Sequence, residues 1–415
     1  MSNPAPRPKR KNPILRTRLP TLPPHARSRV ALGLTAAAAL GRLELQRCRN
    51  CGAIQYPPRE TCHICLSDRL VWEPQDGSGE LVSETVVHIS QELFFRERAP
   101  WRLGLVRLDC GPSVIAHLHG DCAAPPTRLR VLNCLDRAGQ AVLVAIPEKE
   151  TPNMAEDRQL REMSCDPRNR KILVTDGKTA VGQAIVAQLA AAGAEIIWVG
   201  YAEPWKKFPG FERIKTIPQV TLMPLDVTDS VSVKELAGEI GVKVDILVNT
   251  AEHHRAFGIA ARAGTEVARA EMEVNYLGLL RLAQEFGPVM RARGADGRNN
   301  AVAWVNLLSI FALANYPPHG TFSASKAAAH SLAQCLRAEM LPSGIRVVNL
   351  YPGPVDDEWN QLILPPKLAP AALAAAVVKA LQDGVEDVYP GDIAQDWLAR
   401  WRDNPKALER ELAQS

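Results

Sequence analysis

The stretch "KILVTDGKTAVGQAIVAQLAAAGAEIIWVG", Lys171 to Gly200, decides the fold of the larger part of this chain. Its opening run, Lys171 to Thr175, is short and apolar, as a strand buried on both faces is. A polar turn follows. Then "AVGQAIVAQLAAAGA", Ala180 to Ala194, has helical spacing and a glycine stop at Gly193. "EIIWVG" reads as a second strand. Strand, helix and strand within about thirty residues make a βαβ unit with parallel strands. The alternation continues through "VTLMPLDV" (Val220–Val227), "VDILVNTA" (Val244–Ala251), "AVAWVNLLS" (Ala301–Ser309) and "IRVVNLYPG" (Ile345–Gly353). Residues 171–400 are therefore expected to form an α/β, Rossmann-like, doubly wound parallel sheet. A tail helix is expected over 401–415.

The chain has 415 residues, more than one ordinary core holds, so the protein is expected to be multidomain. Hydrophobic content of 46% and charged content of 23% are ordinary for a globular protein. No apolar run reaches the roughly 18 residues of a membrane span. The longest candidate, Val30–Gly41, is too short, and its basic, Pro-rich flank lacks a signal-peptide cleavage pattern. A cytoplasmic protein that does not enter a membrane is the expectation. A net charge of +4 is too small to call for a polyanionic partner. The positive charge gathers at the start: Arg7, Lys9, Arg10, Lys11, Arg16, Arg18, Arg27, Arg29 and Arg42 all precede the first acid, Glu44. Such an arm can touch phosphate or an acidic subunit. The Pro-rich composition favours a solvated, disordered basic arm over residues 1–26.

Nine cysteines are present, and Cys48, Cys51, Cys62 and Cys65 form two CxxC knuckles. Each knuckle puts two thiolates on one side of a tight turn, and two knuckles about ten residues apart can close a tetrahedron of sulfur. Paired CxxC in a chain with no secretory signal reads as metal rather than disulfide. Zinc is the expected ion and rubredoxin-like iron the alternative. Four thiolates leave no open position, so the role is structural. His63 lies inside the second knuckle but is not needed as a ligand. The other cysteines, Cys110, Cys122, Cys134, Cys165 and Cys335, read as buried small hydrophobes. A helix and zinc ribbon are thus expected over 27–70. Over 71–147, the β-rich runs "LVSETVVHI", "LGLVRLD", "SVIAHLHG" and "AVLVAIP", broken by Gly and Pro, suggest a small antiparallel barrel. The polar stretch 148–170 reads as a linker.

The segment "GRLELQRCRNCGAIQYPPRETCHICLSDRLVWEPQDGSGELVSETVVH" resembles the zinc-ribbon and OB-fold family associated with acyl-CoA enzymes, known as domain of unknown function thirty-five. The ribbon core, Trp72 and the Gly77/Gly79 entry to the barrel carry the likeness, and "LGLVRLDCGPSVIAHLHG" fits the same barrel. The resemblance implies an OB-fold and an accessory role on a thiolase-like subunit, where such domains help shape an acyl-CoA site. It brings no catalytic residue with it.

Residues 171–400 resemble the short-chain dehydrogenase/reductase family. The family turn TGxxxG(I/L)G stands here as Thr175–Gly182, with Asp176 and Ala180 in place of glycines and Gly182 retained. Gly182 lets the helix pack close to the strand and aim its N-terminus at a pyrophosphate. Asp176 instead sets negative charge beside that anion, and Lys178 offsets part of it. The resemblance makes Asp226 the acid beside adenine, and it matches Asn249 to the first Asn of the NNAG motif, here Asn249-Thr250-Ala251-Glu252. It also makes Asn275 the helix asparagine, Ser309 the residue that holds the substrate oxygen, and Lys326 the lysine of YxxxK. Pro352-Gly353 matches the PG motif beside the nicotinamide. After the second strand, "VGYAE" offers neither an NAD acid nor an NADP arginine.

The tyrosine of that YxxxK motif, the family's general acid/base, is Phe322 here. A phenyl ring cannot exchange a proton, and general acid–base help is worth about 10²–10⁴ in rate. The expectation is a dehydrogenase-like domain in which Ser309, Lys326 and Asn275 are vestigial and NAD(P) binds weakly or not at all. Such a domain would serve assembly, through long helices near Glu271–Arg293 and Thr321–Met340. The chain would bridge a thiolase-like subunit and an active short-chain dehydrogenase in a hetero- or homo-oligomer that handles acyl-CoA in β-oxidation-type steps. The competing reading is an active NAD(P)-dependent 3-hydroxyacyl-CoA dehydrogenase with Tyr316 or His319 as replacement proton donor. A zinc-ribbon/OB nucleic-acid binder is disfavoured, because the barrel segment lacks interleaved basic and aromatic residues.

Overall fold

The computed structural model describes residues 20–294, 300–361 and 363–414. Most of the basic arm, residues 1–19, lies outside the described residues. Two compact units divide the chain, the bulk of one within Pro20–Asp166 and the bulk of the other from Pro167 onward.

In the first unit a short helix, α1 (Leu32–Ala38), precedes a three-stranded antiparallel ribbon of β1 (Glu44–Cys48), β2 (Ile54–Gln55) and β3 (Leu70–Pro74), in the order β2-β1-β3. The barrel follows. Its strands are β4 (Ser78–Val87), β5 (Trp101–Leu108), β6 (Ser113–Leu118), β7 (Thr127–Leu135) and β8 (Ala141–Pro147), with α2 (Leu93–Arg98) between β4 and β5. They close in the order β4-β5-β6-β8-β7, the small barrel expected from the sequence. Leu81, Val106, Leu108, Val114, Leu118, Leu129 and Val131 point inward and exclude water completely or nearly so.

The sequence reading missed β7 because "TRLRVLNCL" interleaves arginines with its apolar residues. The alternation nonetheless holds in the first half of the strand, where Leu129 and Val131 are buried while Arg128 and Arg130 are exposed. Asn133, a polar residue in the same strand, is buried because its amide donates to the carbonyls of Leu34 (2.9 Å) and Arg42 (3.0 Å).

The stretch expected to be a linker, 148–170, is packed on the barrel as far as Asp166. The Asp157 carboxylate accepts from the N–H of Gly120 (2.8 Å), and the Gln159 amide brackets both main-chain groups of Arg102 (3.0 Å each). Met163 is buried against Phe94 and Trp101. Polar side chains that looked solvated in the sequence are spent on barrel backbone.

The second unit is a seven-stranded, wholly parallel sheet. In chain order it runs β9 (Lys171–Val174), α3 (Ala180–Ala191), β10 (Ile196–Tyr201), α4 (Phe211–Lys215), β11 (Val220–Pro224), α5 (Ser230–Ile240), β12 (Ile246–Asn249), α6 (Glu266–Met272), α7 (Leu279–Ala292), β13 (Ala303–Leu307), α8 (Gly320–Met340), β14 (Arg346–Leu350), α9 (Pro370–Asp383), β15 (Asp387–Val388), α10 (Asp392–Asp403) and α11 (Pro405–Leu412). The strand order is β11-β10-β9-β12-β13-β14-β15. Direction reverses between β9 and β12, which opens a crevice outside their carboxyl ends. The core joins Leu173, Leu247, Trp304 and Val347 of the strands to Leu236, Phe286, Met290 and Ala333 of the helices. Each large side chain buried there contributes about 1.5–3 kcal/mol.

The expected tail helix begins later than 401, because α10 runs to Asp403. Asn404 then caps α11 by accepting from the N–H of Ala407 (3.0 Å), with Pro405 at the first helical position. Leu408 and Leu412 are buried in a cluster with Ala314, Tyr316 and Trp397, so α11 is an integral part of this unit.

Among the described residues, no helix is long and apolar enough to cross a membrane.

The turn from β9 into α3 fixes the crevice floor. Thr179 caps α3 through the N–H of Gly182 (3.0 Å), and a Cβ at Gly182 would lie 2.1 Å from the carbonyl oxygen of Asp176. Backbone cannot yield as a side-chain tip does. Gly182→Ala is expected to cost about 1–3 kcal/mol, seen as a lower denaturation midpoint; an unchanged midpoint would show that the turn is loosely packed.

Candidate functional site

The first candidate is the ribbon. The sulfurs of Cys48, Cys51, Cys62 and Cys65 all lie within 4.8 Å of one another. Cys48 and Cys65 Sγ are 3.6 Å apart and Cys51 and Cys62 Sγ 3.5 Å apart. Zinc–thiolate bonds of about 2.3 Å give a tetrahedron whose edges are about 3.8 Å, close to the two shorter sulfur separations, so the four sulfurs suit a zinc ion among them. The main-chain N–H groups of Asn50 and Ile64 point at Cys48 and Cys62 Sγ (3.4 Å each), and the Asn50 amide approaches Cys65 Sγ at 3.7 Å. Backbone N–H groups, led by those of Cys51, Cys65 and Ser67, pull the thiols of Cys48, Cys62 and Cys65 below their ordinary range. That favours the ligand form. His63 is taken up by Gln55 (3.1 Å) and does not join the sulfurs. A strong chelator or Cys62→Ser is expected to release one zinc per chain, read by elemental analysis, and to unprotect the amides of β1 and β3 in hydrogen exchange.

The second candidate is the crevice between β9 and β12. Ser309, at the end of β13, is buried and caps the turn Ile310–Ala312, accepting from the N–H of Phe311 (3.2 Å). Its hydroxyl donates to the Pro352 carbonyl (3.4 Å). Asn275 sits in the π-turn Glu273–Gly278 that joins α6 to α7. It holds both main-chain groups of His253 (2.9 Å each) and donates to Ser325 Oγ (2.8 Å). Asn249 accepts from Thr175 Oγ1 (2.9 Å), which ties β9 to β12. Asp226 accepts from the N–H (2.9 Å) and hydroxyl (2.7 Å) of Thr228. Ser309, Asn275, Asn249 and Asp226 thus each already have an internal partner.

Phe322 and Lys326 lie one turn apart on α8, both buried. The Lys326 ammonium donates to the Leu307 carbonyl (2.9 Å) and pairs with the Glu252 carboxylate (2.7 Å). His254 stacks on the Phe322 ring with centroids 3.6 Å apart at 13° and is hydrogen-bonded to His319. Burial, chiefly, holds both imidazoles neutral, His254 pushed down to about 2 and His319 to about 4. Tyr316 stacks on His319 and Phe311 and meets Trp397.

Sequence reasoning missed His254, the pairing of Glu252 with Lys326, and Gly177. The available signal for Glu252 was its place in the motif that ordinarily ends in glycine. Gly177 has no room for a side chain, since a Cβ would lie 2.2 Å from Val199 Cγ1.

Asp176 completes the site. Its carboxylate accepts from the N–H of Lys178 (2.7 Å). The Lys178 ammonium pairs with Glu203 (3.7 Å). Burial is the main cause that holds the Asp176 carboxyl up at about 6, against the Lys178 N–H and ammonium, with Glu358 adding to the rise. Asp357 is likewise raised to about 6, first by burial and then by Glu252. Glu358 thus acts on Asp176, and Glu252 and Glu358 act on Asp357, beyond the carboxyl ends of β9, β12 and β14. A pyrophosphate approaching this turn would meet the Asp176 carboxylate, which already holds the Lys178 N–H.

The residues 170–366 match the short chain dehydrogenase family profile. Residues 35–71 match the ChsH2 rubredoxin-like zinc ribbon domain, and residues 72–134 the ChsH2 C-terminal OB-fold domain. A short chain dehydrogenase from Burkholderia cenocepacia, crystallised in complex with NADP, is 31% identical with a TM-score of 0.53, over 60% of this chain and 99% of that one. A fatty acyl-CoA reductase of Acinetobacter baylyi is 29% identical over 189 residues, 43% of this chain and 60% of its own length. An uncharacterized oxidoreductase of Staphylococcus aureus (strain USA300) is 28% identical over 215 residues, 50% of this chain and 89% of its own. The chain belongs to the short-chain dehydrogenase family through its second unit. Its first unit is a zinc ribbon and OB-fold of the ChsH2 type.

A carboxyl whose folded value lies above its ordinary value of about 3.9 costs stability once ionised. For Asp176 that cost is full above about pH 6 and disappears as the pH falls toward 4. Asp176→Asn keeps an acceptor for the Lys178 N–H. It is expected to raise the melting temperature at pH 7–8, with the gain shrinking toward about pH 4; an equal gain at both ends would exclude this carboxyl as the source.

Proposed function

We propose that this chain is a non-catalytic bridging subunit of an acyl-CoA-processing assembly. Its zinc-ribbon and OB unit docks a thiolase-like enzyme. Its dehydrogenase-like unit pairs with an active short-chain dehydrogenase, so that oxidation of a 3-hydroxyacyl-CoA and cleavage of the resulting ketone occur side by side. Acyl-CoA as the substrate class is supported by the resemblance of the first unit to acyl-CoA-associated domains and by the fatty acyl-CoA reductase among the relatives of the second.

The observation that carries the reading is Phe322. The ring stands where the family places its acid/base tyrosine, and His254 covers its face. The competing reading, an active NAD(P)-dependent dehydrogenase, needs another proton donor near Ser309. His319 is buried, neutral and bonded to His254, and Tyr316 is stacked among Phe311, His319 and Trp397. Neither is a free acid facing a substrate carbonyl. Loss of general acid–base help lowers the rate by about 10²–10⁴.

The chain, tagged and isolated from its native host, is expected to bring down a thiolase-like enzyme and an intact short-chain dehydrogenase in fixed ratio. Isolation with neither would sink the bridging role. NAD(P)-dependent turnover of a 3-hydroxyacyl-CoA by the purified chain, abolished by Tyr316→Phe or His319→Gln, would establish the competing reading instead.

A further inference from the structure

The crevice contains two places where a dinucleotide-binding member of the fold would present positive potential to its ligand, and in both this chain presents a carboxylate of its own. In the β9–α3 turn, the Lys178 N–H points at Asp176 Oδ1 (2.7 Å). The Asp176 main chain is itself fixed by Thr250, which accepts from its N–H (2.9 Å) and donates to its carbonyl (2.8 Å). The N–H groups of Asp176 and Lys178 are therefore already taken before any phosphate arrives. On α8, the Lys326 ammonium is held by Glu252 (2.7 Å) and by the Leu307 carbonyl (2.9 Å). Lys326 is 2% exposed, and two of its three N–H donors are committed within the fold. Lys178, the nearby cation, is drawn toward Glu203. Asp357 and Glu358 add further negative charge from the segment after β14.

We infer that Asp176 and Glu252 act as built-in anions that occupy the dinucleotide cleft and exclude NAD(P). An incoming pyrophosphate would have to displace Asp176 from the Lys178 N–H while lying beside its charge, and a ligand oxygen would have to compete with Glu252 for the buried Lys326 ammonium. The enclosure makes both costs larger than they would be at a surface. The two acids replace residues that are glycine in the family turn and in the NNAG motif, so the exclusion is reversible by two substitutions. It is a separate matter from Phe322, which concerns proton transfer. It deepens the bridging proposal and does not depend on the identity of either partner.

The test is a titration of the full-length, zinc-loaded chain with NADPH and with NADH, followed by cofactor fluorescence and calorimetry. The unaltered chain is expected to give no saturable binding up to about 1 mM. The variant Asp176→Gly/Glu252→Gly is expected to bind at least about tenfold more tightly, equivalent to about 1.4 kcal/mol. Because glycine at both positions can loosen the fold, Asp176→Asn/Glu252→Gln is measured in parallel. It removes both charges but keeps the shapes and acceptors; its melting temperature is read first, since Lys326 loses its counter-charge, and in the folded variant the same direction of change is expected. Saturable sub-millimolar binding by the unaltered chain would overturn the inference, as would a folded charge-free variant with no gain over it. Either result leaves the bridging proposal standing, since that is read from co-purification. Restored binding without turnover would separate the two defects.

Discussion

An ammonium group in a protein interior requires a counter-charge, and in this chain the need is met from within. Lys326 is buried on α8, and the Glu252 carboxylate that follows β12 neutralises it at 2.7 Å. Removing Glu252 is costly, because the Lys326 ammonium left behind stays buried and uncompensated. The pair therefore holds the strand that ends at Asn249 and the helix that carries Phe322 in one arrangement. His254, two residues beyond Glu252, is thereby brought onto the Phe322 ring, and His319 is bonded behind it. Lys326 and Phe322 are here engaged by Glu252 and His254, and Ser309 and Asn275 by main-chain groups of the fold.

The same economy governs the rest of the crevice. Ser309, Asn275, Asn249 and Asp226 are at the positions that the family pattern assigns, and each is engaged with a main-chain or side-chain group of the fold. Such bonds stabilise a doubly wound sheet whether or not chemistry takes place in it. Retention of these residue types is thus a weak sign of activity, whereas the identity of residues 176, 252 and 322 bears on it directly. The ribbon is the opposite case, since four thiolates converging within 4.8 Å have no purpose in packing alone.

Much of the architecture was legible in the sequence because it rests on periodicity. Buried parallel strands are runs of apolar residues, helices repeat every 3.6 residues, and both survive changes at the site. The CxxC spacing was legible for a similar reason, because ligand geometry dictates it. Strand β7 was not, since its outward face is basic and its inward Asn133 is satisfied only by carbonyls at Leu34 and Arg42, about a hundred residues earlier in the chain. Nor was the packing of 148–166, where Asp157 and Gln159 serve backbone that no local pattern identifies. At the site, the loss of the phenol could be read from one letter. The pairing of Glu252 with Lys326 and the stacking of His254 on Phe322 could not, because each joins segments more than sixty residues apart and depends on the fold being formed.

The segment beyond Asp403 shows how a few residues can guard a much larger surface. Helix α11 covers Trp397 and Tyr316 with Leu408 and Leu412, and its start depends on one Asn cap and one proline. Clipping there by a protease would lay bare the rings of Trp397 and Tyr316. The trimmed species would be folded yet prone to self-association, and such a product could pass for a natural oligomer in any preparation that had lost those last turns.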